Sequence, residues 1–537
     1  MIYQIYPRSF QDTNADGIGD MKGIEQRLDH VAALGVDAIW ISPFFPSPMA
    51  DFGYDVADYC DVDPRFGTLG DFDAMAAKAR RLGLRVILDL VPNHTSDRHP
   101  WFIQSRSSRS DAKRDWYLWR DPAPDGGPPN NWLSNFGGPA WTFDAATGQY
   151  YAHLFLKEQP DLNWRNPDVR AAMFEVMRFW LRRGVDGFRV DVLYHLIKDD
   201  EYRDNPVNPA YVAGEDPAHR FSPLYTSDRP EVQEVVLEMR RVLDEFSTCQ
   251  STRILIGELY LPIARLIDYY GRDAAGVLRG AQLPFNFHLI GIDWNAEAVD
   301  RLVREYETAL PEGAAPNWVL GNHDKPRIAS RVGVAGARLA MMLLLTLRGT
   351  PTLYYGDELG MTDVPIAPAD VQDPFERNAP GRGLGRDPQR TPMPWTGDEP
   401  NAGFSSVRPW LRLGSDAGRI AVDRQLLDPA SMLVLTRRLL DLRRRCDALH
   451  AGSWVALGTQ ASVLIYARGE PPHRLVVLLN FGTVEVQVDR QRLPPVDQAL
   501  RVWLSTQLDR QDEAVTGSSM LLRPQEGLVL GPANHCA

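Results

Sequence analysis

The sequence predicts a parallel (β/α)8 TIM barrel, an α/β fold, with a small domain inserted after its third strand and an antiparallel β-sandwich domain at its C-terminal end. Three observations predict it. Strand-like and helix-like segments alternate through most of the chain, which is the pattern of a parallel sheet with helical crossovers. The strand-like runs number eight, the count a closed barrel needs. Beyond Gly452 the pattern changes to short alternating strands with no helices between them.

The eight runs, in order, are IYQIY (2–6), AIWIS (38–42), RVILDLV (85–91), GFRVDV (187–192), RILIGE (253–258), AQLPFNF (281–287), NWVLG (317–321) and TPTLYYG (350–356). Helical stretches such as IEQRLDHVAALG and DFDAMAAKARRLG precede the second and third of them. The gap between the third and fourth strands is far too long for one helix. It holds DPAPDGGPPNN (121–131), rich in turn formers, and then WTFDAATGQYYAHLF, which reads as a hairpin. Residues 93–158 are therefore expected to form the inserted domain, leaving 1–92 and 159–450 to the barrel. A second, proline-rich insertion follows the fourth strand at 195–230. Leu435, Leu439, Leu442, Cys446 and Leu449 recur at helical spacing. After them WVAL, SVLIYAR, RLVVLLNFG, VEVQV and GLVL predict the strands of a β domain over 451–537.

Composition narrows the function classes. The chain has 537 residues and a net charge of −12, which argues against nucleic acid or an anionic membrane as a partner. MIYQIYPRSF carries no basic and apolar leader pattern, and the longest apolar run, Ala340 to Leu347, is too short to span a bilayer. Cys60, Cys249, Cys446 and Cys536 lie far apart with no CxxC pair, so reduced thiols are expected. The expectation is a soluble cytoplasmic protein, monomer or homodimer.

The chemistry is written at the strand ends. Asp191, Glu258 and Asp324 each stand where an apolar run gives way to a loop, and in such a barrel those loops share one rim. Glycosidic-bond chemistry needs one protonated and one ionised carboxyl group. Asp191 and Glu258 end neighbouring strands, roughly 4.8 Å apart, which suits the separation of about 5–5.5 Å found in retaining enzymes. Arg189 points to the same side of its strand as Asp191 and is expected to keep it ionised. Glu258 sits in an apolar run whose desolvation favours the proton a general acid needs. Asp324 with His323 is placed to bind sugar hydroxyls and to stabilise positive charge on the ring. Asp89, Asn93 and His94 cluster at the third strand end. Near the start, Asp12, Asn14, Asp16 and Asp20 put side-chain oxygens at alternating positions around Gly17, a pattern suited to a hard cation. Gly23 at the twelfth position rules against an EF-hand.

These motifs carry a resemblance. QIYPRSF, DVDPRFGTLGDF, DLVPNHTS, GFRVDV, GELY, GNHD and RTPMPW occur in the order seen in glycoside hydrolase family 13, the α-amylase family. Within it the chain resembles the bacterial α-glucosidase and α-glucosyl transfer branch, close to oligo-1,6-glucosidases; the C-terminal domain matches only in general form. The resemblance implies Asp191 as nucleophile, Glu258 as acid/base and Asp324 as transition-state stabiliser. It implies that Arg189, His94 and His323 line the −1 glucose subsite, with Tyr54 stacked under the sugar and Phe136 an apolar wall. Asp51 and Arg390 match residues that grip the non-reducing end in exo-acting members. It also implies a structural Ca2+ or Mg2+ in the loop of Asp12, Asn14, Asp16 and Asp20, with the Ile18 carbonyl as a further ligand, and no organic cofactor.

The resulting expectation is an exo-acting, retaining α-glucosidase on short α-glucosides such as maltose, transferring glucose to alcohol or sugar acceptors. Tyr194, His195, Tyr211, His219 and Tyr225 are candidates for an acceptor wall. Two relatives stay open as alternatives. Val192 after the nucleophile accompanies α-1,6 preference in several members of the branch, which points to an oligo-1,6-glucosidase. Sucrose- or trehalose-converting isomerases share the barrel and triad, although an RLDRD-like loop after the eighth strand is absent here. A noncatalytic transporter subunit of this fold is expected to lack some of the acids and to carry an anchor.

Overall fold

The computed structural model describes residues 1–212, 217–493 and 500–533, so Cys536 lies outside the described residues. The barrel begins with β1 (Ile2–Ile5), β2 (Ala38–Ile41) and β3 (Arg85–Leu90). Three short antiparallel strands follow: β4 (Trp119–Arg120), β5 (Trp141–Asp144) and β6 (Gln149–Ala152). The chain then returns to the barrel with β7 (Gly187–Val190), β8 (Ile254–Gly257), β9 (Leu283–Asn286), β10 (Asn317–Trp318) and β11 (Thr352–Tyr354). The parallel order is β10-β9-β8-β7-β3-β2-β1-β11, and a bridge between Val319 and Thr352 closes the ring. All eight predicted strands are present, each shorter than its apolar run.

Alternation sorts the strand residues. One set, including Ile2, Ala38, Trp40, Ile87, Ile256 and Phe285, fills the barrel lumen. The other packs outward against helices; Leu28 and Val31 of the helix Met21–Leu34 belong to that outer core. Asp20 caps this helix through the Gly23 amide. Thr68 and Asp71 form a capping box on the helix Leu69–Arg81. Register fixes the site. Asp89 of β3 lies beside Arg189 of β7, and Val190 of β7 lies beside Gly257 of β8. Asp191 and Glu258, one residue further on each strand, are therefore level with one another.

Residues between β3 and β7 build an apolar cluster around Trp132, Trp141 and Leu118 with Tyr202 against it. At the C-terminal end a five-stranded antiparallel sheet, ordered β12 (Trp454–Gln460), β13 (Val463–Arg468), β14 (Leu475–Asn480), β18 (Gly527–Pro532) and β16 (Leu500–Ser505), packs against the pair β15 (Val486–Asp489) and β17 (Ser519–Leu522). β16 and β17 fall where the sequence pattern predicts no strand. The helical run through Leu449 is also interrupted. The helix Met432–Arg445 ends at Cys446, which is extended, and a separate turn Asp447–His450 carries Leu449.

Among the described residues one helix, Ile328–Thr346, is long and apolar enough to cross a membrane, and 61% of its apolar window is buried within the protein. Cys60 and Cys249 are free thiols.

Candidate active site

Arg189 is the hub of the rim. Its side chain is fully buried, and Trp40 lies beneath it with the ring centroid 5.0 Å from Cζ. Nη1 donates to Asp89 Oδ1 and to Asp191 Oδ1, both at 2.7 Å. Nη2 stands 2.8 Å from Glu258 Oε1, an ion pair whose direction misses hydrogen-bond geometry. The two acids at the level ends of β7 and β8 thus converge on a single guanidinium. Glu258 Oε2 also accepts from the Val192 amide at 2.8 Å.

The electrostatics differ from the expectation for Asp191. Burial raises its pKa well above the carboxylate range; Arg189 opposes this, while Glu258 and Asp89 reinforce it. Burial likewise pushes Asp89 up to about 7 against the pull of Arg189. Asp89 is tied down beneath the pocket by Arg189, Trp40 Nε1 (3.1 Å) and the Tyr54 hydroxyl (3.1 Å).

The Tyr54 ring lies flat against the His323 imidazole, centroids 5.4 Å apart at 4°. Gln4 donates to His323 Nδ1 (2.8 Å), leaving the proton on Nε2, which donates to the Tyr54 hydroxyl (2.6 Å). Burial drives His323 well below its usual range, so it is neutral at pH 7. Asp324 is the reverse. Burial alone raises it, yet His323, Arg390 and Arg386 hold it well below the carboxylate range. With His323 neutral, the arginines carry that effect.

Asp51 and Arg390, expected together at the non-reducing end of the substrate, each have other partners within the protein. Arg390 is fully buried under Asp324, with Nη2 2.9 Å from Oδ1 and Nε donating to the His323 carbonyl at 2.8 Å. The partner of Asp51 is Arg386, at 2.5 Å. Arg386 also reaches Asp373 (2.6 Å) and Asp324 (3.4 Å). Arg386 stands four residues before Arg390, joined to it by the turn Asp387–Gln389. Gln159 was missed as well; its Nε2 donates to Asp51 Oδ2 at 3.2 Å and lies 3.1 Å from His94 Nε2. His94 accepts at Nδ1 from Asn93 and donates from Nε2 to the Tyr54 carbonyl, and burial pushes it down to about 4. Phe136 packs edge-on to Phe375, centroids 4.8 Å apart, with Arg386 over its ring at 5.2 Å.

This buried ring of acids, arginines and aromatics sits on a barrel whose sequence matches the α-amylase catalytic-domain model over residues 4–452. The chain belongs to the α-amylase family of glycoside hydrolases. It is 45% identical over 512 residues to a probable α-glucosidase of Rhizobium meliloti (strain 1021), covering 93% of this chain and 92% of that one. Among solved structures it resembles the α-glucosyl transfer enzyme XgtA, with TM-score 0.91, 38% identity, and 99% and 98% of the two chains covered. It also resembles the trehalulose synthase MutB of Pseudomonas mesoacidophila MX-45, with TM-score 0.88, 32% identity, and 99% and 98% covered.

The residues expected to form an acceptor wall are only partly brought together. Tyr194 lies near Glu258 and Asp191; after burial, those two carboxylates push its phenol upward. The His195 ring packs against Tyr194, centroids 4.2 Å apart, and its Nδ1 lies 2.9 Å from the Thr226 carbonyl. Tyr225 packs with the Trp132 and Trp141 cluster, and Arg203 lies over its ring at 4.5 Å. Tyr211 is half-buried and His219 exposed; the Asn208 carbonyl accepts from the Tyr211 amide, and the Asn208 side chain donates to the His219 carbonyl. A different aromatic occupies the mouth. Tyr260, two residues after Glu258, stacks on Phe287 at 4.4 Å and 9°. The residue is 38% exposed, yet desolvation at its hydroxyl end, then Glu258 and Asp324, push its phenol well above the usual range.

The loop expected to hold a cation is satisfied by its own hydrogen bonds. Asp12 accepts from the amides of Asn14, Ala15 and Gly17 and from the Ser405 hydroxyl, filling its four lone-pair sites. Asp20 accepts from Thr13 and from the Gly23 amide. Asn14 Oδ1 accepts from the Asp16 amide, and Asp16 from the Ile18 amide. Among the described residues no three Asp, Glu, His or Cys groups converge at metal-holding distance. In this arrangement the loop closes on its own amide donors, and no chemical step is assigned to a metal.

Proposed function

We propose that the protein is an exo-acting, retaining α-glucosidase that cleaves short α-glucosides such as maltose from the non-reducing end and transfers glucose to acceptor hydroxyls. The observation carrying this reading is that Asp191 and Glu258, level on adjacent strands, share Arg189. In the first step the Asp191 carboxylate attacks the anomeric carbon as its bond to the leaving oxygen breaks, and Glu258 gives that oxygen its proton. In the second step, water or an acceptor hydroxyl attacks the same carbon, loses its proton to Glu258 and frees Asp191. Asp324, held ionised by its arginines, stabilises the positive charge that develops on the ring between these states. Asp51 with Arg386 closes the far end of the pocket, which favours removal of one glucose at a time.

The relatives support the substrate class: one is named a probable α-glucosidase and one an α-glucosyl transfer enzyme. Glucose release from p-nitrophenyl α-glucoside tests the reading, with loss expected in Asp191→Ala. The first-formed product should keep the α configuration by NMR, and an inverted product overturns the two-step route. We infer α-1,4 preference. Val192 favours the oligo-1,6-glucosidase alternative, and a faster rate on isomaltose than on maltose would decide for it.

A further inference from the structure

Val192 stands at φ 37°, ψ 45°, in the left-handed region that a β-branched residue rarely enters. Such a conformation persists only where the surroundings over-determine it. Here both neighbours are fixed. The Asp191 amide donates to the Leu90 carbonyl at 2.8 Å, so residue 191 is still part of the barrel ladder. Leu193 is fully buried over Gly257, where even an added Cβ would lie 2.8 Å from Leu193 Cδ2. The Val192 carbonyl accepts from the His195 amide at 2.8 Å and starts the turn Leu193–His195. Between these anchors the chain reverses within one residue, and the reversal aims the Val192 amide at Glu258 Oε2.

We propose that the left-handed turn at Val192 is a positioning device for Glu258. It presents a backbone donor that sets the plane of the Glu258 carboxyl group relative to Asp191, the residue next to it in the chain. A backbone amide suits this task because it has no rotamers to lose. The inference rests on the reading of Glu258 as proton donor. As the bond from the anomeric carbon to the leaving oxygen breaks, that oxygen takes the Glu258 proton. When the carboxyl group is mis-aimed, the oxygen departs as an anion, and the loss grows with the basicity of the leaving group.

The test is Val192→Gly, because glycine adopts positive φ freely and also escapes it freely. Activity is measured on aryl α-glucosides of similar size, from p-nitrophenyl to p-methoxyphenyl. The expected result is little change in kcat/KM on p-nitrophenyl glucoside and a loss of about 10-fold on p-methoxyphenyl glucoside, a fraction of what a general acid supplies. Melting temperature should equal or exceed that of the parent. Val192→Ala, which keeps a Cβ at positive φ, should fall between, and it carries the test if the glycine variant does not fold. Glu258→Gln is the control. If it shows no leaving-group dependence, Glu258 is not the donor and the proposed function itself fails. If it shows the dependence while Val192→Gly gives a profile parallel to the parent, only the positioning role is overturned.

Discussion

Asp51 and Arg386 form a 2.5 Å ion pair, and Arg386 is only 13% exposed. The same guanidinium holds Asp373 and approaches Asp324, so under the proposed function it ties the Asp51 side of the site to Asp324. Arg386→Ala leaves Asp51 buried without its cation. The expected cost is about 3 kcal/mol, roughly 100-fold in kcat/KM for maltose, mostly as a raised KM. Arg386→Lys should not restore activity, because an ammonium does not reproduce the fork. Arg390→Lys, beneath Asp324, should instead lower kcat. Steady-state kinetics on maltose separate the two, and equal effects of both arginines on KM would remove Arg386 from the clamp.

Asp89, Asp191 and Glu258 surround one cation, and this sets the pH dependence. Burial places Asp89 at about 7 and raises Asp191, so the cluster retains a proton near neutrality. Cleavage consumes a proton from this cluster, so kcat/KM should fall as pH rises through about 7. The limb belongs to the group rather than to one acid. Asp89 adds a negative charge that raises Asp191, so Asp89→Asn must move the limb to lower pH, by about one unit for groups this tightly coupled. A limb that stays in place or moves upward contradicts the shared-proton account.

The barrel was legible in the sequence because its strands are covered on both faces and read as unbroken apolar runs. Three of the strand ends were legible because a carboxyl group, Asp191, Glu258 or Asp324, stands where the run gives way to a loop, and side-chain alternation placed Arg189 with Asp191. Depth was not. Arg386 and Arg390 share one short segment, and only the turn between them decides which reaches Asp51 and which lies beneath Asp324. β17 is four residues long, SMLL, too short for its apolar residues to show a strand period. The spacing through Leu449 misled because Leu449 keeps helical phase across an extended Cys446. Tyr260 was readable, standing two residues after Glu258 in GELY, but nothing in that motif tells a wall from core packing.

The Asp12–Asp20 loop is proposed on the resemblance alone to take Ca2+ or Mg2+ as a structural ion. A cation must displace amide donors from Asp12, whose lone pairs are filled. If it does, a chelator lowers Tm by roughly 3 °C, and added Ca2+ restores it in a concentration-dependent way. The rate at 25 °C should stay unchanged, since no step passes through the ion. A Tm indifferent to both treatments removes the cation from the loop.

Tyr260 governs the balance between transfer and hydrolysis if the acceptor enters beside Glu258. Its ring is backed by Phe287, and the Lys325 ammonium lies 5.2 Å from the ring centroid, so a stiff aromatic surface faces the route to the acid. An acceptor resting on that surface gains about 1 kcal/mol from stacking, roughly fivefold in occupancy. Water gains nothing there. Tyr260→Ala should therefore lower the ratio of glucosylated phenol to free glucose about fivefold with maltose as donor, while hydrolysis of p-nitrophenyl α-glucoside without an acceptor changes by less than about twofold. Tyr225→Ala, in the aromatic cluster around Trp132 and Trp141, should leave the ratio unchanged. If the two variants behave alike, or if the Tyr260 variant transfers as well as the parent, the acceptor binds elsewhere and the stacked pair serves only to pack the rim.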